Sequence, residues 1–314
     1  MAADVPEMRA ARFHEYGPPS MLVVDLLPRP IPKEGEVLVR VQAAGVNPID
    51  WKLRSGSLKT YMPVTLPHIP GLDVAGIVDA VGPGVSAFAP GDAVFGRGIG
   101  TYAEYAAAPL ATLARKPDGV SFDQAATLHV GGVTAWLGLF DMAHLEAGQR
   151  VLVQGGAGGV GALAVQLAHW KGAHVIATTS TANVAYVQSL GADEVIDYTA
   201  GPFEDAVHDV DVVIDTVGGE ITQRSWGVLK PGGIMVVVAG AADPETAAAH
   251  GVRTSAVRHP EVTTPVLEEL GRLVESGMLI PEIGAVFPLA GAAHAHAASE
   301  TGHGRGRIVL QMTS

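Results

Sequence analysis

Gly156, Gly158 and Gly161 stand at G-x-G-x-x-G spacing in VLVQGGAGGVGALAVQLAHWKGAHVIATTS, residues 151–180. Glycines so spaced can bind phosphate without a charged side chain. Gly156 is expected to permit a tight turn, Gly158 to let backbone approach a pyrophosphate, and Gly161 to let a helix pack on a strand. Gly159 and Val160 belong to the same loop. The helix that follows would offer free N–H groups and the positive end of its dipole. A lone glycine motif is weak, but this one follows an apolar strand, Val151 to Val153. It opens a helix and is succeeded by a second apolar run, His174 to Ala177. A dinucleotide site is the expectation.

The end of the second strand selects the dinucleotide. An acidic residue there binds a ribose 2′-hydroxyl. This chain has Thr178, Thr179, Ser180 and Thr181 instead. Hydroxyls can donate to a 2′-phosphate that a carboxylate would repel, so NADP(H) is favoured. No Lys or Arg occurs between Lys171 and Arg224. The phosphate would rest on Thr179, Ser180, Asn183 and Tyr198, or on a base from elsewhere. A dual-specificity site lacking the acid is the alternative.

Those residues need a scaffold. Residues 1–122 look β-rich: VLVRVQAAGV (37–46), IVDAVG (77–82) and DAVFG (92–96) are separated by turns containing Pro and Gly. Residues 122–141 are helical in pattern, with Gly131 and Gly132 inside. From Val151 to about Val257 strand and helix alternate. VIDY (195–198), DVVIDTVG (211–218) and GIMVVVAG (233–240) read as strands. Ligands of open α/β sheets bind at the carboxyl ends of strands. Val217, Gly218, Ala239 and Gly240 are therefore expected to line the crevice. TPVLEELGRLVESG (264–277) is an amphipathic helix, and RIVLQM (307–312) a strand returning to the first domain.

With 314 residues, 48% hydrophobic and 17% charged, the chain suits two globular domains. A net charge of −12 disfavours nucleic acid and anionic membrane as partners. No apolar run is long enough for a membrane span, and the N-terminus lacks a signal-peptide pattern. The absence of cysteine excludes disulfides, thiolate catalysis and cysteine-bound metal. A cytoplasmic protein is expected.

The ordered segments VQAAGVNPIDWKLRSG (41–56), IPGLDVAGIVDAVGPGV (69–85), PGDAVFG (90–96), HVGGVTAW (129–136), GGAGGVG (155–161) and SLGADEVIDY (189–198) span nearly the whole chain. The chain resembles the zinc-independent quinone oxidoreductase branch of the medium-chain dehydrogenase/reductase superfamily. The resemblance implies an α/β protein: a GroES-like, β-rich catalytic domain (1–122 and 261–314) around a Rossmann NADP(H)-binding domain (123–260). It also implies a homodimer joined through edge strands near Val252 to Val257.

Zinc members of the superfamily place a ligand after AAGV, a His in G-H-E, and a third ligand near the domain junction. Here those positions read Asn47, then Gly71-Leu72-Asp73, then the neighbourhood of Val130. None is a soft ligand, and no metal is expected. His294 and His296, at i and i+2, should lie on opposite helix faces. His129 is a packed histidine or a cleft residue.

Without zinc no Lewis acid polarises a simple carbonyl. Electron-poor acceptors remain: quinones, or double bonds conjugated to a carbonyl, which need positioning and donors near the developing charge. Asn47 is a cleft residue or a turn former before Pro48, and Asp50 a cap. The resemblance suggests Tyr61 as proton donor and Thr134 as a nicotinamide contact. Trp51 and Trp136 wall a pocket or pack in the core. Gly302, His303 and Arg305 match a segment near the cofactor, with Arg305 or Arg307 offering charge to phosphates. The expected activity is NADPH-dependent reduction of a small-molecule quinone, enone or enal. Alternatives are a dedicated enoyl-thioester or biosynthetic ene/imine reductase, and a non-enzymatic NADPH-binding structural or regulatory protein.

Overall fold

The computed structural model describes residues 6–302 and 304–312. They divide into two units: one of residues up to Val130 with Glu261–Glu275 and the segment from Ile283 onward, the other of Gly131–Pro260 with Ser276–Glu282. The first unit thus reaches past the expected boundary at 122, and residues 276–282 belong to the second.

In the first unit a hairpin of β1 (Glu7–Phe13) and β2 (Leu22–Pro28) stands apart from a larger sheet. That sheet contains β3 (Glu36–Val46), β4 (Asp73–Val81), β5 (Ala93–Arg97), β6 (Tyr105–Pro109) and β7 (Leu113–Arg115). Two strands from the C-terminal part of the chain, β14 (Ile283–Pro288) and β15 (Arg307–Gln311), complete it. β15 pairs antiparallel with β3, Leu310 opposite Ala44, so the terminal strand does return as its sequence suggested. Val37, Val39 and Val41 alternate inward from β3 and join Val74, Val94 and Leu310 in the core. Helix α1 (Pro48–Ser55) follows β3 directly, and α2 (Phe122–Ala125) packs on β3 and β4. Helices α8 (Thr264–Glu275) and α9 (Ala292–Glu300) also belong to this unit.

In the second unit six parallel strands lie in the order β10 (Glu194–Asp197), β9 (His174–Thr179), β8 (Arg150–Gln154), β11 (Val210–Asp215), β12 (Leu229–Val237), β13 (Arg253–Ala256). That is the Rossmann order, with its switch point beside β8. Connecting helices include α3 (Thr134–Trp136), α4 (Gly161–Lys171), α5 (Val184–Ser189), α6 (Glu220–Ser225) and α7 (Pro244–Ala249). Every residue of α4 from Gly161 to Ala168 is buried, which explains why its sequence is apolar all round. On either side of α3 the chain makes π-helical turns, Leu128–Val133 and Leu137–Met142. The two glycines of the helical pattern sit in the first of these. No helix among the described residues is long and apolar enough to cross a membrane.

Candidate functional site

In the second unit the carboxyl ends of the parallel strands gather most of the expected cofactor residues. The turn after β8 is carried by Gly155, at φ +74°; Gly156 does not have a positive φ. Its role is therefore corrected: a Cβ there would meet Ala177 Cβ at 2.9 Å and Val187 Cγ1 at 3.2 Å, so Gly156 is small for packing. Gly161, the first residue of α4, is more constrained. A Cβ on it would sit 2.1 Å from the Gly155 carbonyl oxygen. A Cβ at Gly158 would meet only that same oxygen, at 3.3 Å. The loop is pinned from below. The Gly155 N–H donates to Thr178 Oγ1 at 3.1 Å, the Gly156 N–H to the Thr178 carbonyl at 2.8 Å, and the Gly158 N–H to the Gly155 carbonyl at 3.0 Å. Gly159 and Val160 complete the approach to α4, which Val160 caps.

Beside the loop, β11 ends on Asp215, which is buried. Its carboxylate accepts from the N–H groups of Val217 (3.0 Å) and Gly218 (2.9 Å) and from the Thr222 hydroxyl. This fixes the turn that presents Val217, which is 51% exposed. Gly218, at φ +84°, lies so close to Ala239 that a Cβ would meet its carbonyl oxygen at 2.0 Å. Val217, Gly218, Ala239 and Gly240 thus come together as the strand-end rule requires.

At the end of β9 Thr179 is buried, and its carbonyl accepts from the Tyr198 N–H at 3.1 Å. Ser180 Oγ lies 3.4 Å from Asn183 Nδ2, and Tyr198 is 49% exposed. One residue at this corner escaped the sequence reading. Asp197, opposite Thr179 in the parallel register, brings a carboxylate beside the hydroxyls.

Thr134 opens α3; its Oγ1 lies 2.8 Å from His259 Nε2, a partner its sequence neighbourhood gave no reason to suspect. Trp136 packs edge-on against Phe140, ring centroids 4.7 Å apart, and against Trp170 at 6.1 Å. It therefore belongs to an aromatic cluster of its own unit.

The first unit holds a buried polar network. Asp73 opens β4, and its Oδ1 accepts from the Val130 N–H at 2.7 Å. Its Oδ2 accepts from Asn47 Nδ2 at 2.8 Å and Arg307 Nη2 at 2.9 Å, while Arg307 Nη2 also reaches Asn47 Oδ1 at 2.6 Å. Burial pushes the Asp73 carboxyl upward, with Arg307, Asn47 and the Val130 N–H pulling against it. Gly45 makes room for the carboxylate, since a Cβ there would sit 2.7 Å from Asp73 Oδ2 and 2.4 Å from the Ala126 carbonyl oxygen.

Two expectations are corrected by this network. Asn47 is fully buried with both ends of its amide engaged, so it positions Asp73 and Arg307 and offers no donor to a substrate. Arg307, buried against Asp73, is likewise unavailable to a phosphate. Arg305 is exposed, and His303 lies outside the described residues. Tyr61 is 85% exposed. His129 is buried, and Trp51 is half-buried.

A second chain of contacts extends from Asp50. The Asn47 N–H donates to Asp50 Oδ2 at 2.8 Å, and the Tyr102 hydroxyl donates to the same oxygen at 3.1 Å. That hydroxyl is 3.3 Å from His296 Nε2. Arg54 Nε donates to His296 Nδ1 at 3.2 Å, and Arg54 also pairs with Glu300. The accepting Nδ1 puts the imidazole proton on Nε2, facing Tyr102. His296 is buried and His294 exposed, on opposite faces of α9 as their spacing requires.

Burial pushes the Asp50 carboxyl up to about 7, against the pull of the Asn47 N–H and Tyr102. Burial drives His296 down to about 3, with Arg54 adding to the effect. The two act oppositely on stability. From pH 3.8 to about 7 the folded chain keeps a proton on Asp50 that the unfolded chain has released, so this contribution falls as pH rises. Between 6.5 and about 3 the unfolded chain binds a proton that folded His296 refuses, so that contribution falls as pH drops. Replacing Asp50 by Asn removes only the first effect. The melting temperature of Asp50→Asn, relative to the parent, is expected to rise steadily from about pH 4 to about pH 7. Thermal unfolding across that range measures it, and a pH-independent difference would show that Asp50 keeps an ordinary carboxyl.

The comparisons with known proteins agree with this layout. Residues 33–118 match the family model "Alcohol dehydrogenase GroES-like domain" and residues 190–310 the model "Zinc-binding dehydrogenase". The chain is 39% identical to a 2-methylene-furan-3-one reductase of Solanum lycopersicum, over 97% of this chain and 79% of that one. It is 38% identical to a chloroplastic NADPH-dependent alkenal/one oxidoreductase of Arabidopsis thaliana, over 98% and 81%. Among solved structures, a quinone oxidoreductase from Coxiella burnetii superposes with a TM-score of 0.89 at 37% identity, covering 98% of this chain and all of that one.

Proposed function

The chain belongs to the quinone oxidoreductase branch of the medium-chain dehydrogenase/reductase superfamily, and from that premise we propose that it reduces quinones or carbonyl-conjugated double bonds with NADPH, without zinc. It is an oxidoreductase of the nicotinamide-dependent kind. The observation that carries the cofactor reading is the glycine cradle. Gly161 and Gly156 are closed to any Cβ, whereas at Gly158 a Cβ would meet only one carbonyl oxygen. Bound there, a nicotinamide cofactor supplies the hydride. The chain's own part is to hold the pyrophosphate on the loop of Gly156, Gly158, Gly159, Val160 and Gly161. Val217, Gly218, Ala239 and Gly240 line the crevice, and Thr134, oriented by His259, holds the nicotinamide end. The resemblance of the solved relative's name, and those of the two reductases, supports the acceptor class.

A metal does not fit the residues present. Asn47 and Asp73 are committed to one another and to Arg307, and Val130 contributes an N–H. A cation placed among them would face a guanidinium. The acceptor must therefore carry its own electron sink: hydride enters at carbon and charge collects on a conjugated oxygen. Exposed Tyr61 is assigned the proton that completes enone reduction. Tyr61→Phe should slow turnover of an enone about tenfold or more while leaving quinones unaffected. An enone rate unchanged by Tyr61→Phe would remove Tyr61 from the mechanism.

The reading is tested by NADPH and NADH oxidation against 1,4-benzoquinone, 9,10-phenanthrenequinone, 2-cyclohexenone, trans-2-hexenal and crotonyl-CoA, with and without a chelator. Turnover of quinone or enone, unchanged by chelation, is expected; no turnover above background on any acceptor would refute it. Turnover of the thioester alone would point to a dedicated ene reductase. β13, one of the two outer strands of its sheet, is proposed as the edge that pairs in a homodimer, and light scattering should return twice the mass of one chain.

A further inference from the structure

The corner formed by β9 and β10 contains a carboxylate that the cofactor reading did not anticipate. Asp197 ends β10 and lies opposite Thr179 in the parallel register. Its Oδ2 accepts from the Thr181 hydroxyl at 2.6 Å, and its Oδ1 from the Thr199 hydroxyl at 2.6 Å and the Thr199 N–H at 2.9 Å. Thr181 Oγ1 and Thr199 Oγ1 also lie 2.8 Å from one another, so the protons of these two hydroxyls are shared between Asp197 and the pair itself. Two of the hydroxyls at this corner are therefore engaged with each other and with an anion already present. Thr179 is buried, which leaves Ser180, Asn183 and Tyr198.

No base of the same unit offsets the carboxylate. Residues 172–223 contain neither Lys nor Arg. Arg150, Lys230 and Arg253 stand at the starts of β8, β12 and β13, the opposite end of the sheet from the C-terminus of β10. Lys171 ends α4 and Arg224 is in the last turn of α6. Arg258 follows β13, and β13 and β10 are the two outer strands of the six.

Resting on the reading that the adenosine ribose lies at the end of β9, we propose that Asp197 sets the cofactor preference of this chain by repelling the 2′-phosphate, so that NADH is used alongside NADPH. The threonine hydrogen bonds also hold the Asp197 carboxyl below its usual range, which keeps it ionised. At a separation of roughly 5–8 Å, a carboxylate and a phosphate dianion in a water-like medium disfavour binding by about 6- to 16-fold.

The test compares Asp197→Asn with the parent protein and with Asp118→Asn, an equal change of net charge at an exposed site on the other unit. Dissociation constants for NADPH, NADH and 2′,5′-ADP are measured by titration, together with kcat/KM for both nucleotides. In Asp197→Asn the preference for NADPH over NADH is expected to rise about 6- to 16-fold, with NADH unchanged and 2′,5′-ADP tightened equally. Added salt should improve NADPH relative to NADH in the parent and do so less in the variant. An unmoved ratio, equal gains for both nucleotides, or the same shift in Asp118→Asn would overturn the inference alone. A parent protein that binds neither nucleotide overturns the cofactor reading beneath it, and this inference with it.

Discussion

Replacing Gly161 by Ala is expected to weaken NADPH binding by about 5- to 150-fold, the equivalent of the 1–3 kcal/mol that overpacking a fitted site costs. The added Cβ would stand 2.1 Å from the Gly155 carbonyl oxygen, 2.9 Å from its carbon and 3.2 Å from Gly156 Cα. All three are backbone atoms, so no side chain can rotate away. Relief must come from moving the turn or moving α4. The turn is tied to Thr178 through two N–H groups, and α4 is buried along eight successive residues from Gly161 to Ala168. Either movement separates the loop N–H groups from the helix N-terminus, and these must act on the same pyrophosphate.

Gly158→Ala is the informative comparison. Its Cβ would meet the Gly155 carbonyl oxygen at 3.3 Å, a contact a small shift relieves, and otherwise points into open space. Gly158→Ala should keep the parent melting temperature yet lose nucleotide affinity, whereas Gly161→Ala should lose both. Titration with NADPH and thermal unfolding separate the two. Parent-like affinity in Gly161→Ala would mean that the loop is not the phosphate cradle.

This loop was the most legible part of the sequence because its requirements are local. Close packing and strand-to-helix succession leave their mark within a dozen residues. Even so, spacing alone gave the tight turn to Gly156 when the positive φ is at Gly155, which the motif does not include. The rule for the 2′ end of the ribose also reads along one strand. It found the hydroxyls that close β9 and missed Asp197, which approaches from the next strand, eighteen residues beyond Thr179 in sequence but its direct neighbour in the sheet. The same limit hid the partner of Thr134, since His259 is 125 residues away. Asn47 was half legible for the opposite reason. Its local setting before Pro48 supports the turn former that was one of its two readings, and it does cap α1, but its side chain is claimed by Asp73 and by an arginine 260 residues later, which rules out the cleft donor. Polar groups beside a suspected site look like donors until their partners are counted.

Arg307→Met should destabilise the chain by about 3–5 kcal/mol, because it leaves Asp73 fully buried without its counter-charge. Three N–H donors, from Arg307, Asn47 and Val130, converge on the two carboxylate oxygens, an arrangement that suits the ionised acid. Asp73→Asn should also be costly, since Arg307 would then be the buried unpaired charge. The double variant Asp73→Asn with Arg307→Met should lose less than the sum of the two, by about 0.5–3 kcal/mol of coupling. Chemical denaturation of the four proteins measures this cycle, and strict additivity would show that the pair contributes nothing beyond its parts. The cycle also decides between two roles for Arg307. If it is structural, as its burial against Asp73 requires, Arg307→Met held well below its melting temperature binds NADPH like the parent protein. If the variant instead unfolds like the parent and fails to bind nucleotide, then Arg307 serves the phosphates as its place in the sequence first suggested, and the contact with Asp73 is incidental.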